Sequence, residues 1–216
     1  MQLLSVSVGQ PREIHVKGET ILTSIFKDPA EGRVRVRWLN LEGDQQSDLS
    51  VHGGVDKAVY AYPGEHYPLW REDLPEMDLP WAFFGENLTT EGLDEQTVHI
   101  GDRLRIGSAE FLVTQPRMPC FKLAIRAGRQ DIGKRMLQSG RTGFYLSVQQ
   151  EGEIEAGDAI EVIDVDERGL SIADVVSLYA TRGAHADLLR RAAEHPVLPE
   201  TWRDYFYRQL TKSSTK

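Results

Sequence analysis

The alternation of hydrophobic and polar positions in the first two thirds of the chain is typical of a β protein. Residues 33–38 alternate strictly between an arginine and an apolar residue, which predicts a strand with one buried face. Further short strands are predicted at 59–62, 103–106, 110–114, 143–148 and 160–163. Gly-Asp pairs recur between these segments and indicate turns. Many short strands separated by turns predict a mainly β protein whose sheet closes into a barrel.

Helical spacing appears at 65–73 and 131–137 and becomes dominant after Arg168. Ser171 followed by Asp174 is typical of a helix start, and further helices are predicted at 184–193 and 200–210. Helices of about ten residues are marginal when isolated. They must therefore pack together, on the barrel, or on a second copy of the chain in a homodimer. We predict a β-barrel domain at 1–168 and a small three-helix domain at 169–216.

Composition narrows the classes of function. The chain of 216 residues has a formal net charge of −8, which argues against a nucleic acid polymer as the partner. No apolar run approaches the roughly 20 residues that span a bilayer, and the N-terminus lacks the pattern of a signal peptide. We therefore expect a cytoplasmic protein that does not associate with membranes. The single cysteine excludes an internal disulfide and any zinc site built on paired cysteines.

The single cysteine, Cys120, lies in a locally positive segment. Residues 117–141 contain seven basic residues and one acidic residue, Asp131. Prolines on both sides of Arg117 predict a rigid loop that follows a strand. Because Arg117 and Lys122 are close in sequence, they favour the thiolate, which is both a nucleophile and a metal ligand. A lone cysteine can also be a small buried hydrophobic residue, but the prolines and cations favour a chemical role.

Two other segments combine glycine with polar residues. In His52-Gly53-Gly54 the glycines allow a ligand to approach the backbone, and His52 and Lys57 could donate hydrogen bonds to a phosphate or oxo group. Gly85-Glu86-Asn87 is typical of a pocket wall. Ordinary turns with solvated side chains explain both segments equally well. A phosphate-binding loop at 128–134 is excluded because Arg135 stands where a serine or threonine is needed.

The order of these motifs resembles the MOSC family, named for the C-terminal domain of molybdenum-cofactor sulfurases. The resemblance rests on six segments: Thr23-Ser24-Ile25-Phe26-Lys27, residues 41–45, His52-Gly53-Gly54, residues 84–88, Pro116-Arg117-Met118-Pro119-Cys120 and residues 141–144. YiiM-type members resemble the chain over nearly its whole length, including three C-terminal helices. The similarity is dense from about residue 20 to residue 163 and looser in the helices.

This resemblance implies a barrel that binds the molybdenum cofactor, a pterin dithiolene with a phosphate. Cys120 would be the protein ligand to molybdenum, and Thr23 and Lys27 match a polar pair at the family's site. His52, Asn87 and Arg117 match other motif positions. Gln45 stands where many members have an arginine, so Arg33 or Arg141 could take over part of the phosphate binding.

The resemblance also implies a reaction, the reduction of N-hydroxylated compounds such as hydroxylaminopurine-type bases. Cys120 would hold the metal, and Lys27 or His52 would donate a proton. Because the chain has no nicotinamide or flavin fingerprint and one cysteine cannot hold an all-cysteine cluster, an external flavin or iron–sulfur reductase would supply electrons. Three alternatives stay open: sulfur transfer through a Cys120 persulfide, a non-catalytic cofactor carrier and a β-barrel interaction module.

Overall fold

Sheets dominate the computed structural model, which describes residues 1–16, 18–47, 53–181 and 186–213. In chain order the strands are β1 (Gln2–Val8), β2 (Arg12–Val16), β3 (Glu19–Thr23), β4 (Asp28–Pro29), β5 (Val34–Arg37), β6 (Asn40–Leu41), β7 (Val59–Pro63), β8 (Leu88–Glu91), β9 (Arg103–Ile106), β10 (Ala109–Pro116), β11 (Phe144–Gln150), β12 (Gly152–Ile154) and β13 (Ile160–Asp164). All six predicted strands are confirmed, because each overlaps a strand of the structure, and the chain is rich in sheet.

Eight of these strands form one sheet, in the order β13-β9-β10-β11-β7-β8-β1-β4. Its pairs are antiparallel except β7 with β8, which run parallel. Among the described residues β13 and β4 do not pair with each other, so strand pairing does not close the sheet. A single bridge joins Gln2 to Ala159, and the Leu3 amide donates to the Asp158 carbonyl at 2.9 Å. These contacts place the start of β1 beside the start of β13, but the predicted closed barrel is not confirmed.

The alternation follows from burial on one face within residues 34–37, whereas Trp38, the last apolar position of the pattern, is exposed. Val34 and Val36 of β5 are buried in the core, whereas Arg35 and Arg37 point to solvent. The neighbours of β5 are β12 and the two-residue strand β6. The arginine stripe is therefore a solvated face.

Six helices occur in the described part of the chain. They are α1 (His66–Asp73), α2 (Phe121–Ala127), α3 (Ile132–Ser139), α4 (Ile172–Thr181), α5 (Ala186–Glu194) and α6 (Glu200–Ser213). Five were predicted, and α2 was not. The predicted start of α4 is confirmed: the Asp174 amide donates to Ser171 Oγ at 3.0 Å, and the Ser171 amide donates to the Asp174 carboxylate at 3.1 Å. None of these helices is long and apolar enough to span a membrane.

The C-terminal helices share a hydrophobic cluster with the sheet. Val175 of α4, Leu189 of α5 and Phe206 of α6 are fully buried in the same cluster as Phe111 of β10. Trp202 stacks on Phe206 with ring centroids 5.6 Å apart, so both side chains belong to the packing face of α6. The division at residue 168 and the homodimer stay predictions.

A buried histidine near this cluster gives the protein an expected sensitivity to acid. Burial lowers the pKa of His195 below its ordinary value of 6.5, and Nε2 lies 3.5 Å from Asp166 Oδ1. The unfolded chain therefore binds this proton at a higher pH than the folded protein, and stability falls as the pH drops below 6.5. When the pH is lowered from about 8 to about 5, we expect the melting temperature of His195→Gln to fall less than that of the wild type.

His15→Gln is the matched control, because His15 is exposed. It should keep the wild-type pH dependence in the same thermal-unfolding series. Equal acid sensitivity of His195→Gln and the wild type would contradict the assignment.

Candidate functional site

One pocket of about 600 Å³ brings together distant segments of the chain. Five of the six predicted site residues line it: Thr23, Lys27, Asn87, Arg117 and Cys120. The sixth, His52, lies outside the described residues, so its predicted role stays a prediction. The pocket therefore assembles residues that are up to almost a hundred positions apart in sequence.

Each of the five residues lies at or near the end of a regular element. Thr23 ends β3, Lys27 precedes β4 and Asn87 precedes β8. Arg117 follows β10 and Cys120 precedes α2. Residues at the ends of strands can present polar side chains at a fixed place, because the sheet holds the strands themselves rigidly. This arrangement explains how a rigid scaffold presents these side chains at one place.

Lys27, Asp44 and Asn87 form a buried polar network on one wall. Lys27 Nζ makes an ion pair with Asp44 Oδ1, which also accepts from the Gly9 amide at 2.8 Å. Asn87 Nδ2 donates to Asp44 Oδ2 at 3.0 Å and to the Ser7 carbonyl at 3.2 Å. The Tyr60 amide donates to Asn87 Oδ1 at 3.1 Å. The Asn87 side chain thus connects two strands, and both the oxygen and the nitrogen of its amide already make hydrogen bonds.

The environment of Lys27 affects its proton. Burial lowers the pKa of Lys27 below its ordinary value, and the neighbouring Asp44 carboxylate opposes this shift without cancelling it. The ammonium group therefore gives up its proton more readily than a solvated lysine does. Its charge is also balanced by Asp44, so Lys27 adds little positive potential to the pocket.

Arg117 provides positive potential on the wall that also carries Cys120. Its guanidinium is buried, lies 5.5 Å from the centroid of the Tyr60 ring and approaches Met136 Sδ at 3.6 Å. Among the residues that the structure describes, no carboxylate pairs with it. A buried cation without a carboxylate is costly unless an anion compensates it. This wall is therefore the part of the pocket most suited to an anionic ligand.

Cys120 and Lys122 extend the same wall. Cys120 is half-buried, has an extended backbone and immediately precedes α2. Lys122 is buried within α2, and Nζ donates to Ser47 Oγ at 3.0 Å. The predicted loop is confirmed for 117–120, whereas the helix that begins at Phe121 was missed. No group of three or more His, Cys, Asp or Glu side chains in the described ranges could hold a metal ion. Within the described residues, Cys120 is therefore not part of a metal-binding cluster of such side chains.

Comparison with known proteins identifies the family. Residues 48–161 match the MOSC domain, and residues 170–213 match the YiiM-like, 3-alpha helix domain. The chain belongs to the MOSC family. It is 40% identical to YflK of Bacillus subtilis over 96% of this chain and 93% of that protein. A protein of Gibberella moniliformis named "Reductase" is 34% identical over 90% of this chain but only 35% of its own length.

A solved structure supports the same assignment. YiiM from Geobacillus stearothermophilus superposes with a TM-score of 0.80 at 34% identity, covering 97% of this chain and 98% of that one. The MOSC match includes Asn87, Arg117 and Cys120 but begins after Thr23 and Lys27. The resemblance to YiiM-type MOSC proteins is therefore confirmed.

Two residues considered for phosphate binding lie away from the pocket of this MOSC protein. Arg33 is half-exposed and pairs with Glu155 at 3.5 Å. Arg141 pairs with Asp73 at 2.7 Å. Neither lines the pocket. Within the described structure, neither side chain is therefore placed to bind a ligand in the pocket.

Sequence reasoning did not select Ser24, Asp44 or Tyr145 as site residues, although all three line the pocket. Ser24 lies inside a motif that supports the family resemblance, so the sequence could have indicated it as a site residue. Burial raises the pKa of Tyr145, and Arg117 partly opposes this. Nothing in the local sequence around Tyr145 indicated that it would face the motif containing Cys120.

Ser24 leads to a prediction about stability. Its Oγ is buried and has no hydrogen-bond partner among the described residues. An unsatisfied buried hydroxyl costs about 1–3 kcal/mol. Ser24→Ala should therefore raise the free energy of unfolding of the ligand-free protein by about 1 kcal/mol in urea denaturation.

Thr23→Val provides a contrast, because Thr23 Oγ1 accepts a hydrogen bond from the Ile25 amide at 3.2 Å. Removing that acceptor should destabilise the protein. A loss of stability in Ser24→Ala would contradict the prediction and indicate a structural role for its hydroxyl.

Proposed function

We propose that this MOSC protein is a molybdenum-cofactor-dependent reductase of N-hydroxylated compounds in which Cys120 ligates the metal. The observation that carries the proposal is the position of the chain's one thiol in a pocket beside Arg117, a buried cation without a carboxylate partner in the described structure. MOSC domains are associated with this cofactor. The name of the fungal relative supports an oxidoreductase role.

The residues of the pocket fit such a group. A soft thiolate is a suitable ligand for a sulfur-rich metal centre. Arg117 and Lys122 would balance the charge of an anionic phosphate or oxo group, and Ser24 would gain the hydrogen-bond partner that it lacks. The cofactor would be held mainly by the wall that carries Cys120.

When bound, the cofactor supplies the two-electron chemistry that breaks an N–O bond. The chain's own contribution is orientation, charge and protons. Lys27 is a better proton donor than Tyr145, because burial lowers its pKa. Burial raises the pKa of Tyr145, so its phenol holds its proton more tightly. Asp44 would stabilise the protonated form of Lys27 between turnovers. His52 stays an alternative proton donor.

Electrons would come from an external flavin or iron–sulfur reductase. This chain corresponds to 35% of the fungal protein named "Reductase", so that relative has ample additional sequence for further domains. A separate reductase would dock transiently and near the pocket, through a small and partly electrostatic interface. The physiological substrate would be a small N-hydroxylated compound.

The test uses protein purified without oxygen from cells that make the cofactor. Metal analysis should find about one molybdenum atom per chain, the stoichiometry expected for one ligating cysteine. A chemical reductant should support conversion of hydroxylaminopurine to the amine. The same mixture with NADPH as the only reductant is the control and should show no sustained turnover.

Other outcomes would reject the reductase. A persulfide on Cys120 without molybdenum would indicate sulfur transfer. Bound cofactor without turnover of any N-hydroxylated compound would indicate a carrier. Absence of metal, cofactor and persulfide would indicate an interaction module.

A further inference from the structure

A hydrogen bond connects the C-terminal helices to the strand that leads into the pocket. Trp202 of α6 donates from Nε1 to Gln115 Oε1 at 2.8 Å, and both side chains are buried. An indole N–H can only donate. The oxygen of the Gln115 amide must therefore face Trp202, and its NH₂ group must face the other way.

That NH₂ group donates to the carbonyl of Asp56 at 3.2 Å. Thr114 Oγ1 lies 2.7 Å from the same carbonyl oxygen. Consecutive side chains on a regular strand point to opposite faces. Here the register of β10 against β11 shifts between Val113 and Gln115, and such a bulge re-aims a side chain. The irregularity explains how two neighbouring side chains reach one acceptor. Thr114 Oγ1 also lies 3.0 Å from the Tyr145 carbonyl, and its single proton serves one of the two carbonyls.

Asp56 lies in a single 3₁₀ turn, Val55–Lys57, which forms part of the pocket rim. Gly53 and Lys57, on either side of Asp56, both line the pocket. The turn is closed by a bond from the Lys57 amide to the Gly54 carbonyl at 3.0 Å. No residue of the turn is buried, and Val55 is 61% exposed. The turn therefore lacks a buried side chain that could fix its place, and polar contacts to its backbone become important.

We propose that Trp202 is a positioning residue for the pocket: through Gln115 it holds the Val55–Lys57 turn and thereby places Lys57. The C-terminal helices would then act on ligand binding as well as on packing. The importance of Lys57 for the cofactor rests on the proposed reductase function, whereas the coupling from Trp202 to Lys57 does not.

Two substitutions break the connection at different points. Trp202→Phe keeps an aromatic ring but removes the donor to Gln115. Gln115→Met keeps a similar volume and removes both bonds of the amide. Phe206→Leu is the matched control, because Phe206 is buried four residues further along α6 and stacks on Trp202 without belonging to the chain of hydrogen bonds.

The first readout is hydrogen exchange of the Lys57 amide in the ligand-free protein. Trp202→Phe and Gln115→Met should speed it by about 3- to 10-fold, the range expected for losing one hydrogen bond. The second readout is the rate of chemical labelling of the Lys57 amine, relative to exposed Lys134 in the same molecule. That ratio should change in both variants and stay at the wild-type value in Phe206→Leu.

Wild-type exchange and labelling at Lys57 in both variants would overturn the proposal. An equal effect of Phe206→Leu would do the same, because it would assign the change to general loss of packing. If Trp202→Phe does not fold, Gln115→Met and Thr114→Val still test the turn, because they remove the side-chain contacts to the Asp56 carbonyl. Neither readout needs cofactor or substrate, so failure here is distinct from failure of the proposed reductase function.

Discussion

Cys120→Ser is expected to lose most of its molybdenum and at least about 100-fold in N-reductase turnover, while its fold is retained. Loss of a residue that merely orients a metal ligand costs about 10- to 100-fold, and Cys120 is proposed as the ligand itself. Serine has nearly the same shape but offers a harder oxygen donor. Because Cys120 immediately precedes α2 and makes no capping hydrogen bond there, serine, a favoured residue at this position, should preserve the helix.

Three measurements on the same preparation decide this prediction: molybdenum per chain, turnover with a chemical reductant and thermal unfolding. Cys120→Ala is the companion variant, since it removes every donor atom. Both variants should unfold near the wild-type temperature. A Cys120→Ser protein with full molybdenum occupancy and full turnover would end the proposal that this thiol is the metal ligand.

The second large effect is expected in the buried network of Lys27, Asp44 and Asn87 in the pocket wall. Asp44→Ala should lower the free energy of unfolding by about 3–5 kcal/mol, the cost of leaving a partner charge buried and unpaired. The substitution removes the ion pair of Lys27 and leaves the Gly9 amide without its acceptor. It also removes one of the two acceptors of Asn87 Nδ2. Urea denaturation measures the loss directly.

Two controls make the Asp44 experiment specific. Glu155→Ala breaks the exposed pair with Arg33 and should cost no more than about 1 kcal/mol. Combining Lys27→Met with Asp44→Ala removes the unpaired charge, so the double variant should be more stable than Asp44→Ala alone. A cost below about 1 kcal/mol for Asp44→Ala would show that Lys27 finds another partner or water.

Patterns within about ten residues were sufficient to predict most of the secondary structure. Val34 and Val36 are buried by one face of one strand, so alternation revealed β5 before any partner strand was known. Ser171 and Asp174 cap each other within one turn, so the start of α4 is a local property as well. The helix α2 was missed because it spans only Phe121–Ala127 directly after a proline-rich loop. So short a helix is stabilised by packing rather than by its own pattern.

The candidate site divides in the same way. The sequence alone determined that Arg117 and Cys120 share a rigid loop, because the prolines and the thiol lie within five residues. The family motifs also selected Thr23, Lys27 and Asn87, which the pocket brings together. Their individual surroundings were not available from any motif.

Tertiary structure decided which of these side chains are already satisfied. Lys27 pairs with Asp44, which is 17 positions away in sequence, and Asn87 donates a hydrogen bond to Asp44 from 43 positions away. Lys27 and Asn87 therefore belong to a buried network in which the charge of Lys27 is balanced. Arg117 is buried with no carboxylate beside it in the described chain, so its charge is not balanced in the way that the charge of Lys27 is. The reason is physical: a local sequence specifies which charges exist, whereas the energy of a buried charge depends on partners that only the folded chain brings within a few ångströms.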